Sequence, residues 1–204
     1  MGLVYGVGIN DADYAVQVNE TVDGKQRRVW VCPFYSVWVE MIKRGYSKNL
    51  KIKRPTYQDV VVCEQWHRFS SFKSWMEQQD WEGKQLDKDL LVKGNKVYSP
   101  EACVFVSAMT NTFMLDCGAS RGKYKIGVSW CSRDKIFRAQ CSNPLLCKSE
   151  YLGLFTDENK AHEVWLAKKL EHAYALAAIQ TDKRVAKALI DRYENYNGVT
   201  NEAE

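Results

Sequence analysis

The sequence predicts an α+β protein in two folded parts. A small N-terminal module of short strands and aromatic-rich helices precedes a three-stranded antiparallel sheet packed on one long helix. Three observations carry this reading. Strand-like segments between Ile126 and Phe155 are separated twice by turn residues. An alanine-rich stretch with helical spacing follows them. Two earlier stretches, Phe34–Tyr46 and Glu64–Gln78, repeat apolar residues at helical intervals. The parts are expected at residues 1–118 and 119–196, with a polar, frayed tail over 197–204.

In the second part, Ile126–Trp130 forms a first strand and Cys131–Lys135 the turn after it. Ile136–Cys141 alternates, with Phe137 and Ala139 on one face and Ile136, Arg138 and Gln140 on the other. Ser142-Asn143-Pro144 breaks that strand, and Tyr151–Phe155 makes the third. Thr156 is a candidate helix N-cap, with Asp157 and Glu158 well placed in the first turn. The helix is expected to bury Ala161, Val164, Trp165, Ala167, Leu170, Ala173, Tyr174 and Ala177.

In the first part, residues Val4–Val31 read as short strands turning at Asp23-Gly24 and ending in the strand-forming Arg28-Val29-Trp30-Val31. Phe34, Val37, Trp38, Met41 and Ile42 form one side of the first helix. Trp66, Phe69, Phe72 and Met76 form the core side of the second. Lys43, Arg44, Lys48, Lys51, Lys53 and Arg54 follow with no acidic residue between Met41 and Thr56. Such a window suits either a phosphate backbone or water. The face of helix Asp182–Tyr193 bearing Ala186, Leu189, Ile190 and Tyr193 suits packing on the C-terminal module or on a second copy.

Charge points toward nucleic acid. The whole chain of 204 residues carries a net charge of +4. Between Arg121 and Phe155, Arg121, Lys123, Lys125, Arg133, Lys135, Arg138 and Lys148 face only Asp134 and Glu150, so this short segment alone is about +5. No apolar run approaches the roughly eighteen residues of a membrane span, and no export signal opens the chain. The seven cysteines then read as reduced cytosolic thiols. They form no CxxC pair, which leaves zinc at Cys32, Cys63, Cys103 and Cys117 without a spacing signature. No phosphate loop, nucleophile elbow or dinucleotide motif points to a small-molecule enzyme.

Asp87 and Asp89, in Leu86-Asp87-Lys88-Asp89, alternate on one side of a short strand. A Gly94-Asn95 turn and the segment Tyr98–Val106 complete a hairpin-like unit. Two carboxylates so placed suit one hard cation, Mg2+ or Mn2+, that would polarise a scissile phosphate. They equally suit ion pairs with Lys88, Lys93 and Lys96.

Two resemblances sharpen these readings. GVSW, KIFRAQ and YLGLF followed by TDENKAHEVW, about sixty residues in all, resemble the ethylene-response-factor DNA-binding fold of plants, found also in phage nucleases. That family lays its sheet in the major groove. Carried over, this implies DNA contacts from Arg121, Lys123, Lys125, Trp130, Arg133, Lys135 and Arg138, with Trp130 equally suited to a core.

CPFYSVWVEMIKRGYS, PTYQDVVVCEQWHRFSSFKSWM, QLDKDLLVKGNKVYSPEACVFV and RGKYKIGVSW together resemble the HNH-type homing endonucleases of tailed phages. Those join a strand–strand–helix metal nuclease to a DNA-binding module. The resemblance implies a metal-dependent endonuclease acting on double-stranded DNA in the cytoplasm of the infected bacterial host, or a nuclease-derived protein that binds DNA without cutting it. A homodimer or a host protein remains open as a further partner. Catalysis would fall to Asp87, Lys88 and Asp89, and metal binding to Asp87, Asp89 and Asn95. The chain departs from the pattern where it matters: Lys88 replaces the usual histidine base, and Ala102 stands where the helix asparagine is expected. A lysine flanked by two carboxylates stays protonated and is a poor base. Glu101 is a stand-in ligand and His67 an outside candidate for the base.

Overall fold

A computed structural model describes residues 2–115 and 123–196. Arg121, Cys117 and the tail over 197–204 lie outside the described residues. The chain divides into two compact units, Met1–Val106 and Ser107–Glu204, so the division falls earlier than expected. Residues 107–115 belong with the second unit. Among the described residues no helix is long and apolar enough to cross a membrane.

The first unit opens with a two-stranded antiparallel ribbon, β1 (Gln17–Val22) and β2 (Lys25–Val31), exposed along nearly its whole length. Asp23 and Gly24 turn it with φ of 51° and 71°, the paired positive values of the tight hairpin turn that Asp-Gly favours. Helix α1 (Pro33–Tyr46) begins on Pro33, whose missing N–H costs nothing at a helix start. It buries Trp38, Met41 and Ile42 against Trp66, Phe69 and Phe72. The Trp38 indole N–H donates to the Trp66 carbonyl at 2.8 Å. Of the basic window, Lys43 and Arg44 lie in the last turn of α1, Lys48, Lys51 and Lys53 on helix α2 (Lys48–Lys53), and Arg54 at its end, before a 3-10 turn, Pro55–Tyr57.

The helix expected over Glu64–Gln78 is interrupted. A 3-10 turn, Glu64–His67, is separated from helix α3 (Phe69–Met76) by an extended Arg68 with φ −89° and ψ 129°. The cause is distant in sequence. Ile9 N donates to His67 O at 2.8 Å and Phe69 N donates to Ile9 O at 3.0 Å, a bridge that helical backbone could not make.

The expected hairpin over 86–106 is also corrected. Strand β4 (Gln85–Asp87) pairs antiparallel with β6 (Val104–Val106), while β5 (Val97–Tyr98) pairs parallel with β3 (Val61–Val62). Residues 99–103 are a turn rather than a helix, so Ala102 occupies no helical ligand position. The next helix in the chain, α4 (Ala108–Met114), belongs to the second unit.

The second unit is a three-stranded antiparallel sheet in the order β7 (Val128–Cys131), β8 (Ile136–Asn143), β9 (Lys148–Phe155), with helix α5 (Glu158–Ala177) across one face. Asp157, not Thr156, caps α5: its carboxylate accepts from Asn159 N at 2.8 Å. The helix buries Ala161, Trp165 and Ala173 as expected, and also His172 and Leu176, while Val164 and Tyr174 are exposed. Helix α6 (Lys183–Glu194) packs on α5 through Val185, Leu189 and Tyr193, and the Tyr193 hydroxyl donates to Phe113 O at 2.9 Å. Gly127 is indispensable here. Its φ is +80°, and a Cβ added there would lie 2.0 Å from the Trp165 ring.

Candidate nucleic-acid interface

The pleat of the C-terminal sheet sorts its side chains. Ala139 and Cys141 point toward α5 and are buried. Arg138 and Gln140 therefore point away, and cross-strand register adds their neighbours. Ser129 and Leu154 flank Arg138, Tyr151 stands opposite Gln140, and Ser149 stands opposite Ser142. Tyr151 is 61% exposed and Leu154 47%. The outward face thus offers one guanidinium, one amide, one phenol and several hydroxyls on a rigid platform. Arg reads guanine and Gln reads adenine through paired hydrogen bonds in the major groove.

The residues expected to bind DNA do not all share this face. Arg138 lies on it. Arg133 and Lys135 occupy the turn at its end, and Lys135 has a φ of 50°. Arg133 forms two hydrogen bonds to the Asp134 carboxylate, at 2.8 and 3.1 Å, and that contact holds the Asp134 carboxyl below the usual range. Lys123 is exposed, its ammonium 5.2 Å from the Tyr124 ring centre. Lys125 is turned to the start of α5, donating to the Asn159 side chain at 2.6 Å. Trp130 pairs with Phe137, so it belongs to the helix side of the sheet. There it sits at the uncovered end, 37% exposed, with its ring centre 4.7 Å from that of Phe137. Sequence reasoning singles out none of Gln140, Tyr151 and Leu154 on this face, although the alternation of β8 already sets Gln140 beside Arg138.

The Asp87 region is built as a closed loop. Asp87 ends β4, and its Oδ1 accepts from the backbone N–H groups of Asp89 (2.9 Å) and Leu90 (2.7 Å). Burial, followed by the charge of Asp89, pushes its carboxyl above the usual range. Lys88 is buried. Its ammonium donates to Asp89 Oδ2 at 3.1 Å and to the Asn95 carbonyl at 2.9 Å. The Asn95 side chain donates to the carbonyls of Lys88 and Val97, both at 2.7 Å, and accepts from Val97 N.

These groups do not fit a magnesium or manganese ion. Asp87 Oδ1 is taken by two amides and the Asn95 side-chain oxygen by a third, while Asp89 Oδ2 already holds an ammonium. A dication brought between Asp89 and Asn95 would meet Lys88. Among the described residues no three His, Cys, Asp or Glu side chains gather as a metal site. Cys32, Cys63 and Cys103 are free thiols, and burial drives the Cys103 thiol up to about 12. Glu101 is exposed at the turn before β6.

His67 is likewise engaged: its Nε2 lies 2.9 Å from the Tyr46 hydroxyl and 3.1 Å from Val62 O. A second histidine lies under the C-terminal sheet. His172 Nδ1 is 3.6 Å from Cys141 Sγ, and its Nε2 is 3.3 Å from the Glu150 carboxylate. The order thiol, imidazole, carboxylate imitates a nucleophilic triad. Yet Cys141 is buried and its thiol is pushed up to about 11, so the group packs helix to sheet and exposes no thiolate.

Comparison with known families, characterised proteins and solved structures finds no match to this chain. What its surfaces do therefore rests on their own chemistry.

Proposed function

We propose that this protein binds double-stranded DNA through the outward face of its C-terminal sheet, with Arg138, Gln140 and Tyr151 at the bases and Arg133, Lys135 and Lys123 toward phosphates. The observation that carries this reading is the side of the sheet opposite α5, which presents Arg138 and Gln140 in one row with exposed Tyr151. A ribbon of this width enters the major groove, and its polar groups match base edges there. A solvated face would need no such pairing of guanidinium, amide and aromatic groups.

Endonuclease activity is the second reading. One observation favours it: Asp87 and Asp89 stand together in one loop, Asp89 N donating to Asp87 Oδ1 at 2.9 Å. Against it stands the commitment of both carboxylates to the loop. Nuclease ancestry with DNA binding retained accommodates both observations.

Binding of labelled duplex DNA by the full chain, compared with Arg138→Ala, tests the first reading. Loss of affinity in the variant with unchanged thermal unfolding is expected, whereas equal binding by the two proteins removes the sheet face. Incubating supercoiled DNA with Mg2+ or Mn2+ tests the second. Nicking that disappears in Asp87→Ala would establish the endonuclease.

A further inference from the structure

A strongly basic surface of the N-terminal unit lies on α2 and the residues that flank it. Between Ile42 and Cys63 stand six basic residues and one acid, Asp59. Three of the six are occupied within the unit. Lys43 pairs with Glu40 at 3.0 Å, Arg44 donates to the Tyr98 hydroxyl at 3.3 Å, and Lys51 donates to Gln58 O at 2.8 Å. The other three, Lys48, Lys53 and Arg54, are exposed and make no ion pair among the described residues.

A fourth cation arrives from forty positions along the chain. The parallel pairing of β3 with β5 brings the 96–98 backbone alongside 61–62, and Lys96 Nζ then reaches Thr56 O at 3.3 Å. The backbone beneath is ordered rather than loose. Ser47 caps α2 by accepting from Leu50 N at 3.3 Å, and the Arg54 N–H closes it on Leu50 O at 2.8 Å.

We infer that Lys48, Lys53, Arg54 and Lys96 form a second contact for double-stranded DNA, one that takes its phosphodiester backbone. The inference rests on the sheet reading and adds to it a backbone-directed contact carried by the N-terminal unit. Charge complementarity selects the occupant: three unpaired cations, with Lys96 held beside them on Thr56 O and a single nearby carboxylate, suit a polyanion. Ile52, 78% exposed, is the one apolar side chain standing out of α2. Ile52, with Val61 and Val97 exposed on the β3–β5 pair, supplies only small aliphatic side chains and no aromatic anchor of a protein interface. The four cations lack the planar, converging geometry that reads bases, so this contact adds affinity without sequence preference. Linking two such sites on one chain raises the effective concentration of the second.

The test is a salt titration of duplex DNA binding by three full-length proteins. These are the wild type, a Lys48→Gln, Lys53→Gln, Arg54→Gln variant, and a Lys25→Gln, Arg27→Gln, Arg28→Gln variant that removes the same charge from the exposed ribbon. All altered side chains are exposed, and circular dichroism checks each fold. Every phosphate left without its cation lowers the log–log salt slope by about 0.9, so the α2 variant is expected to lose about 2–3 from it while the ribbon variant keeps the wild-type slope. An unchanged slope in the α2 variant overturns the inference. So does an equal drop in the ribbon variant, which would mean that net charge alone matters. Where Arg138→Ala weakens binding and the α2 variant does not, the sheet reading stands and this one falls. A wild type that binds no DNA removes both.

Discussion

The Lys88 ammonium reaches the carbonyl of Asn95 at 2.9 Å, and the Asn95 side-chain amide returns a hydrogen bond to the carbonyl of Lys88 at 2.7 Å. This reciprocal pair closes the loop between β4 and β5 and places a buried cation where the endonuclease resemblance implies catalytic chemistry. Lys88 thus acts as a staple. Replacing it with methionine keeps the stem's packing while removing the charge, leaving the Asn95 carbonyl and the Asp89 carboxylate without their donor. Hydrogen bonds from a charged group contribute roughly 1.5–3 kcal/mol, so Lys88→Met is expected to lower stability by about 2 kcal/mol in chemical denaturation. DNA affinity should be unchanged. Unaltered stability would mean that the ammonium is not held as described.

Asp87 gives a pH-dependent counterpart. Its carboxyl lies above the ordinary range because burial and the neighbouring Asp89 charge disfavour ionisation. For a carboxyl raised on folding, the stabilising contribution is complete below the unfolded pKa of about 3.9 and is lost as pH rises through the folded value. At neutral pH the buried negative charge is therefore a cost. Asp87→Asn keeps an acceptor for Asp89 N and Leu90 N and removes that cost. The variant should match or exceed the wild-type melting temperature at pH 7, with its relative advantage shrinking toward pH 4. A large loss at pH 7 would show that the charge itself is needed, as a metal or nuclease role requires.

Gly127 separates steric need from backbone preference. Gly94 shares a positive φ, +78°, but has open space around it, whereas the Cβ of an alanine at 127 would overlap the Trp165 ring. Gly94→Ala should cost about 1 kcal/mol through the backbone alone, and Gly127→Ala about 2–4 kcal/mol, because the α5–sheet packing must also open. Equal effects in thermal unfolding would contradict the close contact between Gly127 and Trp165.

Local chemistry in this chain is legible in the sequence, and long-range pairing is not. Alternation puts Phe137 and Ala139 on one face of β8 with Arg138 and Gln140 on the other, and Asp23-Gly24 marks the turn of the β1–β2 ribbon, because both signals lie within a few residues. The break at Arg68 depends on Ile9, nearly sixty residues away, so helical periodicity runs straight through it. The pairing of β4 with β6 instead of β5 has the same origin. Lys88 misleads for a different reason. A lysine between two aspartates reads as their ion-pair partner or as a catalytic group, and only the fold shows that its stem is buried and its ammonium shared between Asp89 and the Asn95 carbonyl. At Trp130 the strand is legible but its facing is not, since cross-strand register decides that it stands with Phe137.

Gln140 and Arg138 should both read bases, and Arg138 alone should also add charge to the contact. Both point outward from β8, but only Arg138 carries charge, and only a contact that reads a base distinguishes sequences. Selection of bound duplexes from a random pool would first define the preferred site. Gln140→Ala is then expected to relax preference at one base pair, costing about 1–3 kcal/mol on the preferred site and little on others, with the salt slope unchanged. Arg138→Ala should weaken binding more broadly and reduce the slope where its guanidinium also neutralises a phosphate. Identical selected sequences for the wild type and Gln140→Ala would take Gln140 out of the base-reading row and leave recognition to Arg138 and Tyr151.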